Sequence, residues 1–142
     1  MEITGQPPPT REEQDMAALG HGLQIFCGVL GPLAIFLWKR NSRFVAFHCL
    51  QAIFWQLLLG VAALLTSLAV VAFVFLGLSS QSGSVEQPTP VIFLAFPIIW
   101  LFALGGAVLT LILAIVYALK AMKGEWAQYP LVGGWAKRAA GV

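Results

Sequence analysis

Three stretches of this chain carry no charged side chain: residues 16–38, 44–78 and 91–119. The hydrocarbon core of a bilayer is ~30 Å thick, so a helix needs roughly 20 apolar residues to cross it. All three stretches meet that length. The sequence therefore reads as an all-α integral membrane bundle of three transmembrane helices. Only 10% of the residues are charged and the mean hydropathy is +0.85, against about 25% charged in an ordinary soluble domain.

The charge balance excludes some function classes. A net charge of +2 is too small for a nucleic-acid partner. Cys27 and Cys49 lie in or beside apolar segments without paired spacing, which argues against both a disulfide framework and a zinc site. The acidic start of the chain (Glu2, Glu12, Glu13, Asp15) lacks the basic n-region of a signal peptide, so none is expected.

Residues 1–9 form a polar, proline-rich stretch expected to be disordered, because consecutive prolines cannot enter a helix interior. Thr10 and Glu13 have the spacing of a capping box, which starts the first helix near Arg11. That helix is the weakest span. Gly20, His21, Gly22 and Gln24 dilute its first half, and Gly31 and Pro32 should kink it. A tilted, kinked crossing at residues 16–38 is expected, with a re-entrant hairpin as the alternative. Lys39, Arg40 and Arg43 make a basic turn in which Asn41 or Ser42 can cap the second helix. That helix could run over residues 43–78, far longer than one crossing needs, so its start at 44–50 is placed along the interface and its span at 52–78. A polar loop follows at 79–89. Thr89 and Pro90 read as cap and first residue of a third helix, spanning 91–119, kinked near Pro97 and ending at Lys120 to Gly124. Gly124 suits the left-handed position after a helix. These elements make one transmembrane domain at 10–131, followed by a basic tail at 132–142.

Lys39, Arg40, Arg43, Lys120, Lys123, Trp126 and Tyr129 have the composition of interfacial anchors, so the C-terminal segment is expected at the headgroups. Lys and Arg collect in short cytoplasmic loops. With three crossings, the basic turn and the C-terminus then face the cytoplasm, while the N-terminus and the 79–89 loop face out, in the inner membrane.

An imidazole or amide within a membrane segment is a functional candidate by default. His48, Gln51 and Gln56 on the second helix, with His21 and Gln24 on the first, form a possible polar intramembrane face. The sharp reading is a shared proton relay or metal site. The plainer reading is neutral side chains satisfied by amides and carbonyls. If the first helix crosses, His21 lies near its outer end and His48 near the inner face, too far apart to share a metal, so no metal is expected. Gly106, Thr110, Ala114 and Ala118 recur every fourth residue on the third helix, a ridge for close helix packing within the chain or between copies. Acid–base chemistry needs two positioned titratable groups, and the apolar stretches offer none beyond histidine. No catalytic residue, cofactor or enzyme activity is expected.

Two motifs carry a resemblance. One is Trp38-Lys39-Arg40 leading into Phe44-Val45-Ala46-Phe47-His48-Cys49-Leu50-Gln51-Ala52. The other runs from Ala118 through Lys120, Lys123, Gly124, Glu125 and Trp126 to Tyr129-Pro130. With Leu19-Gly20-His21 they resemble a bacterial family of small membrane proteins of unknown function. That family is distantly related to the small membrane subunit of the chloroplast inner-envelope import translocon (Tic). The resemblance covers about residues 15–131. It implies a helical membrane architecture and no catalytic residues, although the chloroplast subunits have four helices where three are counted here. The resulting expectation is a small multi-pass membrane protein, non-enzymatic, acting through helix packing with itself or another membrane protein in the lipid bilayer. The alternative is a subunit of a protein translocation or small-solute transport system.

Overall fold

The computed structural model describes residues 7–79 and 90–142. Most of the expected disordered stretch (residues 1–6), the polar loop at 80–89 and the Thr89 cap lie outside them. The described chain is helical, in five elements. These are α1 (Arg11–Cys27), α2 (Leu30–Trp38), α3 (Arg43–Ser79), α4 (Pro90–Met122) and α5 (Gly133–Ala140).

α1 begins at the expected capping box: the Thr10 hydroxyl accepts from the Glu13 N–H, and the Glu13 carboxylate accepts from the Thr10 N–H at 2.8 Å. It stops at Gly28, whose φ of +55° lies where a side chain would be strained. The chain reverses there, and α2 packs back along α1. Gly31 makes that contact possible, since a Cβ on it would lie 2.5 Å from the Leu23 Cβ. Pro32 is tolerated because it falls in the first turn of α2, where backbone N–H groups have no intrahelical partner.

This is the main correction to the sequence reading. Residues 16–38 form a helical hairpin and not a crossing; α2, at nine residues, is only ~14 Å long. Among the described residues two helices, not three, are long and apolar enough to cross a membrane. Glu12 of α1 pairs with Lys39 after α2, and Gly124 after α4 lies against Pro9. The start of α1, the basic turn and the end of α4 therefore share one neighbourhood. The sequence reading puts the start of the first helix and the basic turn at opposite ends of a crossing; here Glu12 and Lys39 are in contact.

α3 starts where Ser42 caps it, its hydroxyl accepting from the Val45 N–H at 3.2 Å. Residues 44–49, expected along the interface, are all buried by protein. α4 starts at Pro90 as expected, contains Pro97 and ends in a Schellman motif. There the Glu125 N–H donates to the Lys120 carbonyl at 3.0 Å and the Gly124 N–H to the Ala121 carbonyl at 2.9 Å, with Gly124 at φ +73°. α5 replaces the expected basic tail. Val132 and Ala136 bury it against the rest of its unit, and Gly141 closes it in a left-handed conformation.

The chain divides into two compact units. One comprises Met1–Leu58 with Leu109–Val142. Its core gathers Ala17, Phe44 and Ala121 against Trp126, and Ile35, Val45 and Cys49 against Met16, Leu23 and Phe36. The other, Leu59–Val108, holds the remaining parts of α3 and α4. Its large apolar side chains, among them Leu64, Leu68, Phe75, Phe96 and Leu101, are exposed.

Candidate functional site: a buried polar chain

α1 carries His21 and Gln24 three residues apart, hence on one face. α3 carries His48 and Gln51 at the same spacing. The segment after α4 inserts Tyr129 between the two faces. All five side chains are essentially inaccessible, none more than 2% exposed.

Their hydrogen bonds form one directed line. His48 Nε2 lies 3.1 Å from the Glu125 carbonyl, which can only accept, so Nε2 carries the proton and Nδ1 is bare. His21 Nε2, 3.0 Å from that Nδ1, must then donate to it. His21 Nδ1 is left as an acceptor and receives the Tyr129 hydroxyl at 2.9 Å. The Gln24 amide donates to the Tyr129 oxygen at 2.9 Å. One backbone carbonyl thus sets the tautomer of both histidines, each neutral with its proton on Nε2. Gln24 Oε1 alone, among the described buried side-chain atoms, has no partner.

Further polar groups tie the same elements together. Gln51 donates to the Ala127 carbonyl at 3.1 Å and accepts from the Tyr129 N–H, holding an irregular strand of chain much as a neighbouring strand would. Tyr117 donates to the Gln128 carbonyl at 2.6 Å. Gln56 donates to the Gln24 carbonyl at 3.3 Å, one of the last four carbonyls of α1, which have no partner within the helix. The Trp55 N–H donates to the Thr110 hydroxyl at 3.0 Å, joining α3 to α4. Tyr129 stacks on His21 with centroids 5.3 Å apart, and Trp126 meets Phe44 edge-on at 5.1 Å.

Burial, followed by the neighbouring His48, holds the His21 imidazole well below its ordinary 6.5. Burial likewise pushes the Tyr129 phenol up. The Glu13 carboxyl is lowered, chiefly by the Ser42 hydroxyl and further by Thr10 and Lys39. Among the described residues no three His, Cys, Asp or Glu side chains gather as a metal site. The polar chain is closed. A surface recess of about 430 Å³ is lined instead by Glu12, Glu13, Trp38, Lys39 and Ser42.

The expected polar face is therefore one cluster: His21, Gln24, His48, Gln51 and Gln56 all take part. The wide separation of His21 and His48 holds only if the first helix crosses, and the reversal at Gly28 overturns that condition. Tyr129, expected among the interfacial anchors, is 2% exposed and belongs to the cluster. Trp126 is half-buried on Phe44 and Phe47. Arg40, Arg43 and Lys123 are exposed, while Lys39 and Lys120 are half-buried. Within the packing ridge, Thr110 and Ala114 are buried; Ala118 is half-buried, and Gly106 lies beside Leu59. Tyr117 and the Glu125 carbonyl were missed. Neither has a signal in spacing or composition, because their roles arise only when the chain folds back after Gly124.

The family model described as the magnetosome magnetite crystal formation protein family matches residues 12–136. Both motifs that carried the sequence resemblance fall within the match, and a translocon relationship is not part of it. No curated protein and no solved structure matches the chain.

Proposed function

The chain belongs to the magnetosome magnetite crystal formation protein family, and on that premise we propose that it is a non-enzymatic membrane component of magnetite crystal formation. The observation that carries this reading is the match over residues 12–136, taken together with two helices long and apolar enough to cross a membrane. The non-enzymatic part is supported by the polar chain. Every ring nitrogen of His21 and His48 is engaged inside the protein, so neither imidazole is free to act as a base on a substrate. The protein works through helix packing with itself or with another membrane protein. The exposed apolar faces of α3 and α4 are the available surface, since Thr110 and Ala114 of the small-residue ridge are already buried within the chain.

With α3 and α4 as the two crossings, Arg11, Lys39, Arg40, Arg43, Lys120, Lys123, Lys137 and Arg138 all fall on one side. These are the 8 Lys and Arg residues of the whole sequence. That asymmetry supports a topology in which these basic segments face the cytoplasm.

Deletion of the gene in its native host tests the reading. Magnetite crystals should change in number, size or shape while cellular iron uptake is kept. Unaltered crystals would contradict the proposal. Lost iron uptake would favour the alternative of a transport subunit.

A further inference from the structure

α3 and α4 are too long for the membrane they cross. Their 37 and 33 residues span about 55 and 50 Å, against a hydrocarbon core of ~30 Å. Apolar composition does not say which part lies in lipid, because it runs almost from end to end. The structure does separate the parts. From Phe44 to Trp55, α3 is nearly all buried by α1, α2 and the segment after α4, so protein and not lipid covers it. From Leu57 onward its large side chains (Leu57, Val61, Leu64, Leu68, Phe75) are exposed.

Polar side chains mark the same level. Gln56 is the last amide or charged residue on α3, and it caps α1 through the Gln24 carbonyl. On α4, Thr110 receives the Trp55 N–H, and residues 91–109 contain no amide or charged group. The 22 residues of 57–78 rise about 33 Å and the 19 of 91–109 about 28 Å, each close to one bilayer core.

At that level the first unit shows exposed apolar tips. The α1–α2 hairpin turns just past Gln24, and there Phe26 is 85% and Leu30 68% exposed. The chain after Tyr129 turns at Leu131, 77% exposed, before α5 returns to the level of Arg43, whose guanidinium donates to the Gly141 carbonyl at 3.5 Å. Leu131 has φ +69°, a left-handed conformation that a leucine rarely adopts, so its outward placement is held at the cost of backbone strain.

We propose that the hydrocarbon core is crossed by residues 57–78 and 91–109 alone, and that Phe26, Leu30 and Leu131 seat the polar-cored unit on the lipid surface at the level of Gln56. The occupant of this apolar rim is the bilayer itself. The inference rests on the reading that α3 and α4 cross a membrane. A competing placement exists, because α4 keeps exposed apolar residues as far as Ile115 and Leu119. It would put the crossings at Arg43–Gly77 and Phe96–Met122.

The two placements differ in their midpoints. The proposal centres the bilayer near residue 68 on α3 and residue 100 on α4. The competing placement centres it near 60 and 109, roughly 12–14 Å away along each helix. Spin labels on single cysteines decide. The full chain, with Cys27→Ser and Cys49→Ala, would be placed in vesicles of phosphatidylethanolamine and phosphatidylglycerol. Labels would stand at Leu57, Val61, Leu64, Leu68, Val71 and Phe75, and at Phe96, Trp100, Leu104, Val108, Ile112 and Ile115. Depth is read from the ratio of oxygen to water-soluble nickel-chelate accessibility. Maxima within one turn of residues 68 and 100, with labels at Phe26 and Leu131 at headgroup depth, are the expected result. Maxima near 60 and 109 overturn the boundary while leaving two crossings. Water accessibility at 68 and 100 overturns the crossings as well. Labels at Phe26 and Leu131 as accessible to the chelate as one at Glu12 overturn the seating.

Discussion

Replacing Tyr129 with Phe removes one oxygen atom and leaves the ring. The aromatic contacts with His21, Tyr117 and Trp55 survive, so the change isolates the hydroxyl. That hydroxyl serves two partners, donating to His21 Nδ1 and accepting from the Gln24 amide. Both are fully buried, and Gln24 already has one unpartnered oxygen. A buried polar group stripped of its partner costs about 1–3 kcal/mol. Two of them put the loss at about 2–6 kcal/mol. For a chain of this size, at about 3–4 °C per kcal/mol, that lowers the unfolding midpoint by roughly 6–24 °C. Thermal unfolding in one detergent, followed by near-ultraviolet circular dichroism, would measure it. Tyr117→Phe is the control. It also loses one hydrogen bond, to the Gln128 carbonyl, but its site is partly exposed and water can replace the phenol. If Tyr129→Phe costs no more than Tyr117→Phe, the directed chain does not hold the fold together and the reasoning fails.

Acid should weaken the same cluster. His21 is kept neutral when folded but binds a proton when unfolded below its ordinary 6.5, so the unfolded state takes up more protons as pH falls. Stability present above about pH 6.5 is thus lost on acidification, and the unfolding midpoint should drop between about pH 7 and pH 5. His21→Gln, which keeps a donor toward His48, should flatten that slope. Gln51→Ala frees the backbone from Ala127 to Tyr129 and should speed tryptic cleavage after Lys123; unchanged digestion would show that the clamp does not hold the segment. Gly31→Ala should cost more than Gly28→Ala: the first drives a Cβ to 2.9 Å from the Leu23 backbone, whereas the second meets open space and bears only the backbone strain of its positive φ, about 1–3 kcal/mol. Equal midpoints for the two variants would contradict the close α1–α2 contact.

Helix ends were legible in the sequence because their chemistry is local. The Thr10–Glu13 box, the Ser42 cap and the Gly124 motif each involve residues a few positions apart. The hairpin was legible only as the alternative to a crossing, since hydropathy counts composition, and residues 25–38 have the composition of a membrane segment whether the chain crosses or reverses at Gly28. The separation assigned to His21 and His48 followed from the crossing through the 1.5 Å rise of an unbroken helix. Tyr129 was misplaced for a related reason. Aromatic and basic residues after a membrane helix describe a headgroup segment and an inserted plug equally well, and only the carbonyls taken by His48, Gln51 and Tyr117 distinguish the two. α5 opens with Gly133 and Gly134, poor helix formers, and forms where burial of Val132 and Ala136 outweighs propensity.

The central claim is that residues 16–38 turn back and do not cross, so that the chain has two crossings. Single cysteines replacing Pro8, Asn41 and Ser84 test it in intact cells and in opened membranes, in the background lacking Cys27 and Cys49, with a membrane-impermeant maleimide. The account predicts that Pro8→Cys and Asn41→Cys are labelled only after the membranes are opened, and Ser84→Cys in intact cells or, for an internal compartment, only after that compartment is opened. Labelling of Pro8→Cys from the same side as Ser84→Cys, with Asn41→Cys on the other, would mean that the first segment crosses the membrane and would contradict the account.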